Sequence, residues 1–425
     1  MGQNLTRERM VGVRERLLLA GIAAVGANIN REISLLDAVA QTTVPLTVAH
    51  KYFPDDEHFR AAMLDHLEMR LQHYVPSNPE GELPQQLEVL SAGYFTFAQF
   101  EPPNFRALHL LLPQQGKLHP SLSLFRNLSS AAGIEDWKTK SLVIMASIHG
   151  MSCLCTCGAA RWLLPTAKSQ LLRRLIRNLT HIIDAPAPAP IKPAHPQRLT
   201  HVPASSSYSK STREGIKHAL FRAGIENAAE QGLDALTLEA AANRIGVSPG
   251  TAYALIDGDS ALSQELEDCL DSRVRVRIQS QIHSLPQTAS CLNNIKAGYT
   301  AYLSYAKSDP QGFDVLTAIS SGSVIPVPEE SPVPESAFGE LTSFARAVMS
   351  EVGQPHNSWH AFELNFDLWS IAQGMAHLIS TGFLRELNLS APVISKIADY
   401  VLFTMADRLE LDTAAVLIEP EKTCV

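Results

Sequence analysis

Across residues 213–229 the apolar side chains Ile216, Leu220, Ala223, Ile225 and Ala228 recur every three or four positions, with Arg213, Glu214, Lys217 and Glu226 among them. That period lays one apolar stripe along a helix. Val393, Ile397, Tyr400, Val401 and Met405 repeat the pattern near the C-terminus. Strict alternation between hairpin turns does not occur, so the pattern predicts an all-α protein with helices nearly throughout.

The pattern also occurs twice. Leu19-Ala20-Gly21-Ile22 has a counterpart in Arg222-Ala223-Gly224-Ile225. At the same offset, without a gap, Ser34-Leu35 matches Thr237-Leu238, Ala38 matches Ala241, Val44 matches Val247, Phe53 matches Ile256 and Phe59 matches Leu262. Further on the echo is looser. Ala92-Gly93-Tyr94 pairs with Ala297-Gly298-Tyr299, and His149-Gly150-Met151 with Gln373-Gly374-Met375, each at a larger offset. The second copy therefore carries an insertion, for which the proline-rich run 324–334 is the candidate. Between the copies, 185–209 holds Pro186, Pro188, Pro190, Pro193, Pro196 and Pro203, then three serines. Such a run favours an extended spacer. The expected organisation is a head at 1–75, a body at 76–184, a linker at 185–209, a second head at 210–270 and a second body at 271–425. A doubled unit presents two copies of one surface without a partner chain.

The sharpest local signal lies in 232–262. Gly232 suits the end of one helix. Thr237 suits the N-cap of the next, expected over Leu238 to Ile245 and rich in alanine. Gly246 breaks that helix; Ser248 and Pro249 restart it, serine as cap and proline at the first position, where its missing N–H is no loss. Two short helices around a glycine turn form a helix-turn-helix. Its second helix, expected over 249–255, would enter a DNA major groove by its N-terminal end. Gly250 allows close backbone approach, while Thr251 and Tyr253 bring hydroxyls suited to phosphate oxygens. Two short amphipathic helices also occur in many cores, which is the plain structural alternative.

The run 237–262, with Gly246-Val247-Ser248-Pro249-Gly250-Thr251-Ala252-Tyr253, resembles the N-terminal domain of the tetracycline-repressor (TetR) family. The resemblance implies a three-helix DNA-binding head and a larger helical body that binds a ligand and dimerises. It is weaker in the body, carried by Tyr302-Leu303-Ser304-Tyr305-Ala306 before Asp309-Pro310, and by Leu368-Trp369-Ser370-Ile371-Ala372-Gln373-Gly374. Those stretches are similar to a subgroup with a tryptophan near a His-Gly pair. On this basis Thr237, Arg244, Ser248, Pro249, Gly250, Thr251 and Tyr253 are the expected DNA-binding residues of the second head. Thr47, His50 and Lys51 are those of the first. Two departures matter: Asp259, and Asp56 in the first copy, stand where the family has a phosphate-holding lysine. The first head also has Thr43 for the turn glycine, Pro45 and Leu46 opening the second helix and His50 for the tyrosine. It therefore reads as either a specialised reader or a head that only packs.

Charge tempers the DNA reading. Between Lys210 and Arg277 carboxylates outnumber basic groups, and the whole chain carries −8. Phosphate neutralisation by Lys and Arg supplies most nucleic-acid affinity, so binding would depend on a few well-placed cations such as Arg213, Lys217 or Arg244. The alternative is a sensor or protein-interaction module that has lost direct DNA binding.

Other chemistry is sparse. Cys153, Cys155 and Cys157 lie close together, and His149, Cys153 and Cys157 share one helical face, as metal or redox ligands would. A small buried hydrophobe in a tight helix contact accounts for the same cysteines. Tyr94, Phe97, His149, Cys153, Tyr299, Tyr302, Trp369 and Gln373 are the candidate effector-binding residues, with plain core packing the alternative for the aromatics; the resemblance implies that Trp369 and Gln373 lie where halves or subunits meet. No phosphate loop, nucleophile elbow or His-Glu-x-x-His pair occurs, so neither catalysis nor a cofactor or metal is expected. With 45% apolar and 18% charged residues, six cysteines without a framework and no apolar run of membrane length, the chain reads as cytoplasmic. The expected partners are double-stranded operator DNA and a small-molecule effector. The assembly is expected to be an intrachain pseudo-dimer or a homodimer.

Overall fold

The structure, a computed structural model, describes residues 2–27, 33–77, 79–111, 137–156, 158, 160–161, 163–184, 212–286, 289, 291–320, 337–351, 358–382, 397 and 399. The linker at 185–209, the proline-rich run 324–334 and Cys157 lie outside these residues, as does most of the C-terminal stripe. Every regular element among the described residues is helical.

The first copy runs through α1 (Gly2–Ala27), α2 (Leu35–Ala40), α3 (Leu46–Ala49) and α4 (Asp56–Tyr74), then α5 (Leu83–Phe100), α6 (Pro102–Leu111), α7 (Trp137–Thr156) and α8 (Pro165–Asp184). The second runs through α9 (Arg213–Gln231), α10 (Leu238–Ile245), α11 (Pro249–Tyr253) and α12 (Gly258–His283), then α13 (Cys291–Ser308), α14 (Pro310–Ile319), α15 (Ala337–Glu351) and α16 (Ser358–Ser380). The recognition-type helix α11 stops at Tyr253, two residues short of the sequence expectation. The boundary drawn at 270 falls inside α12, which is continuous from head to body.

The two heads are built by the same local interactions. Ser34 caps α2 by accepting from the Asp37 N–H, and Thr237 caps α10 by accepting from the Ala240 N–H. Pro45 and Ser248, the residues before α3 and α11, have the same backbone angles, φ −63° and ψ 142°. A longer-range latch is duplicated too. Asp56 Oδ1 accepts from the Leu35 N–H at 2.6 Å, and Asp259 Oδ1 from the Leu238 N–H at 2.7 Å. Each aspartate thus satisfies the N–H of the first residue of the helix-turn-helix, two helices back along the chain. The helix-turn-helix of the second head turns at Gly246, left-handed at φ 73°. In the first head the Thr42 hydroxyl bonds the Val39 carbonyl and receives the Val44 N–H, so the chain turns without glycine.

Each head docks on its body through one short helix. The face of Gly26 on α1 meets the backbone of Pro103 at the start of α6. In the second copy Val315 of α14 joins the apolar core of the head, which contains Leu220, Leu238, Ala241, Ala252, Leu262 and Leu266. The first head and both bodies share a single larger core. An ion pair recurs at the same joint. Arg70 of α4 pairs with Glu101, just before α6, and Arg273 of α12 with Asp309, just before α14. Burial raises the Glu101 pKa, but hydrogen bonds from Arg70, Asn104 and Tyr74 outweigh it and hold the carboxyl below the usual range.

The copies meet where α7 crosses α16. A Cβ on Gly150 would overlap the Ser370 carbonyl oxygen, and one on Gly374 would overlap that of Ala146. The relation is reciprocal: Gly150 and Gly374 are the glycines matched in the repeat, and each faces the residue four before the other. That is the signature of an isologous contact made within one chain. From the flank, α8 adds Arg174, which pairs with Glu363 and Asp367, and Asn178, bonded to Asp367 at 2.5 Å.

Two predictions follow from these contacts. Gly150→Ala is expected to cost about 3 kcal/mol or more, because neither backbone can yield without separating the helices. Gly374→Ala should cost as much, and the double variant less than the sum of the two; denaturant unfolding measures all three. Glu101→Gln is expected to lower stability at neutral pH. A lowered folded pKa contributes stability above the ordinary carboxylate range and loses it as pH falls through the folded value. The deficit of the variant should therefore vanish in acid, as measured by unfolding across a pH series.

Candidate functional site

Two kinds of candidate residue end up in two different places. The helix-turn-helix residues lie on the outside of the heads. Ser248, Pro249, Gly250 and Thr251 are exposed, and Tyr253 is 51% exposed despite its size. Ser248 Oγ accepts from the Thr251 N–H and lies 2.8 Å from the Thr251 hydroxyl. The cap thus orders the start of α11 and aligns two hydroxyls on its outer face. Thr237 is spent on capping α10. In the first head Thr47 and Lys51 are exposed, while His50 has Nδ1 3.2 Å from the Pro54 carbonyl.

The cations expected to support that surface are mostly used elsewhere. Arg244 bonds Glu226, Asn227 and both oxygens of Glu230, clamping the end of α10 to α9. Its pKa is raised by that pairing, chiefly by Glu230. Lys217 pairs with Glu265 at 2.5 Å and lies over the Phe221 ring. Asp56 and Asp259, which looked like losses of a phosphate-holding lysine, have the structural task of bonding Leu35 and Leu238.

The body residues converge on the α7–α16 crossing. Tyr94 of α5 places its hydroxyl 3.0 Å from His149 Nδ1 on α7 and 2.8 Å from His109 Nε2 on α6. His149 Nε2 then lies 2.9 Å from Nδ1 of His377 on α16, and 3.5 Å from Cys153 Sγ one turn along α7. His109, His149, Cys153 and Tyr94 are buried; His377 is half-buried. The second body holds the matching arrangement with different chemistry. The Tyr302 hydroxyl of α13 donates to Gln373 Oε1 at 2.6 Å, and Gln373 Nε2 donates to Thr317 Oγ1 on α14 at 3.2 Å.

This corrects the repeat alignment. Tyr94 corresponds in space to Tyr302, not to Tyr299, since each reaches the residue before the crossing glycine. The tyrosine triplet in α13 offers three hydroxyl-bearing rings at one-turn steps, and the contact to Gln373 singles out Tyr302. Tyr299 lies elsewhere: its hydroxyl is buried with no hydrogen-bond partner among the described residues. Burial pushes the Tyr94, Tyr299 and Tyr302 hydroxyls well above the ordinary tyrosine range, so each stays protonated. Phe97 is core, its ring tilted against Tyr74 and edge-on to Phe105. Trp369 packs partly buried against the central core on α16, beside the inter-copy contact.

Sequence reasoning missed His109 and His377. His109 stands alone in an ordinary apolar helix, and His377 reaches the site from the other copy. The one available signal was repeat position: His377 in the second copy corresponds to Cys153 in the first, just as Gln373 corresponds to His149. No helix among the described residues is long and apolar enough to cross a membrane. No family model matches the chain, and no curated protein is similar to it.

Proposed function

We propose that the chain is a DNA-binding transcriptional regulator, of the repressor type, in which two helix-turn-helix heads are carried by one intrachain pseudo-dimer. The observation that carries this reading is the duplicated head, with its capped, outward-facing α11, set on bodies that pair reciprocally through Gly150 and Gly374. A helix start with an exposed glycine and paired, exposed hydroxyls suits phosphate contact. Because the first head offers Thr47, His50 and Lys51 where the second offers Gly250, Tyr253 and Ala254, the operator would be asymmetric.

The bodies would bind a small effector, with Tyr94, His149, Cys153, Tyr299, Tyr302 and Gln373 as its contacts. The joint gives the coupling a physical route. His109 belongs to both the buried network and α6, against which α1 of the first head packs. In the second copy α14 bears Thr317 of the network and Val315 of the head core. A ligand that moves α6 or α14 would tilt a head, by no more than its preference for one arrangement over the other allows.

A second reading has a specific observation in its favour. Lys217 and Arg244 are held in ion pairs inside the head, which leaves few cations for phosphate. On that reading the heads serve as protein-interaction surfaces.

The two separate in a binding assay on DNA taken from upstream of the gene, across a salt series. The regulator reading predicts saturable binding that weakens steeply with salt, reduced at least about tenfold by Thr251→Ala with Tyr253→Ala, on the scale of lost contacts worth about 1–3 kcal/mol. Absence of binding at low salt without competitor supports the interaction module.

A further inference from the structure

The geometry points to a transition-metal site of the zinc(II) class at the crossing of the two copies, formed by His149 Nε2, Cys153 Sγ and His377 Nδ1. It names an effector for the body described above, so its regulatory consequence rests on that reading; the binding of the ion does not. Among the described residues these three offer one ligand atom each, all within 4.8 Å of one another.

The spacing suits a tetrahedral ion. With metal–nitrogen bonds near ~2.0 Å and metal–sulfur near ~2.3 Å, neighbouring ligand atoms lie about 3.3–3.6 Å apart. The His149 to Cys153 separation is already 3.5 Å. The His149 to His377 separation, 2.9 Å, opens by about 0.4 Å to meet the same limits, which small side-chain rotations supply. Two imidazoles and a thiolate select zinc, cobalt or nickel over magnesium and calcium, which take oxygen ligands.

The surroundings orient the ligands as metal sites require. A ligating histidine needs its other ring nitrogen held by a second partner, which fixes the tautomer. Here Tyr94 holds Nδ1 of His149 and is itself anchored on His109. When Tyr94 donates to His109 it accepts the Nδ1–H of His149, and Nε2 keeps its lone pair for the ion. Binding then releases the Cys153 thiol proton, while the neutral His377 shifts its own from Nδ1 to Nε2, so affinity rises with pH.

The duplicated half supplies an internal control. Gln373 and Thr317 occupy the positions of His149 and His109, and the same helices pack there with an amide and a hydroxyl. The crossing does not need imidazoles for its packing. Only the first copy has histidines at both of these places. Across the pseudo-axis, Cys153 and His377 occupy equivalent positions, both with ligating chemistry.

The test uses the full chain, freed of any tag and of metal, and titrated with cobalt(II). The expected result is one equivalent bound per chain, with ligand-field absorption of a low-coordinate ion and a thiolate-to-cobalt band, both displaced by zinc. Cys153→Ser should abolish the thiolate band. His377→Gln, which removes one imidazole ligand, and Tyr94→Phe should each weaken affinity at least about tenfold. The exposed His73→Gln should change nothing. Absence of the band in the natural protein overturns the site without reference to any variant. So does a band unaltered in both Cys153→Ser and His377→Gln. DNA binding is read separately on the same samples. A band without DNA binding keeps the site and rejects the regulator, whereas DNA binding without a band rejects the site alone.

Discussion

Where α7 crosses α16, the Ser370 carbonyl lies against the face of Gly150 and the Ala146 carbonyl against that of Gly374. Neither position accepts even a methyl group, so the two backbones touch over a full turn. Contact that close fixes where every side chain one turn away must project. It sets His149 and Cys153 opposite His377, and Tyr302 within reach of Gln373. The heads depend on the same contact at one remove, because α6 and α14 carry both a network residue and a head-docking surface.

Duplication explains why such a site can be asymmetric. In two identical chains the residues on either side of a two-fold axis must be the same, and each change appears twice. A tandem chain is released from that constraint. His149 and His109 occur in one copy with Gln373 and Thr317 in the other, and the helix-turn-helix of one head turns on threonine while the other turns on glycine. The fold is kept by contacts common to both copies: the Asp56 and Asp259 latches, the Arg70–Glu101 and Arg273–Asp309 pairs, and the two glycines.

Much of this was legible in the sequence where the determining physics is local. The stripe in 213–229 became α9, and Thr237, Gly246, Ser248 and Pro249 cap and break the helices as their chemistry dictates. The repeat itself was visible because it is ungapped through the heads. What failed was long-range. Asp259 reads as a missing phosphate ligand, although its partner is the backbone N–H of Leu238, two helices back. Arg244 was assigned to DNA, although Glu226 and Glu230 come from another helix that periodicity cannot bring near. The sequence echo pairs Tyr94 one turn away from its spatial counterpart, and His377 has only its repeat position, matching Cys153, to mark it.

The central claim is that one chain presents two heads to one DNA. It is tested most directly by footprinting the complex while its mass is measured by sedimentation. The account predicts a single chain per DNA, protecting two unequal patches about one helical turn, ~34 Å, apart. One protected patch per chain, with two chains needed to fill the site, would contradict it.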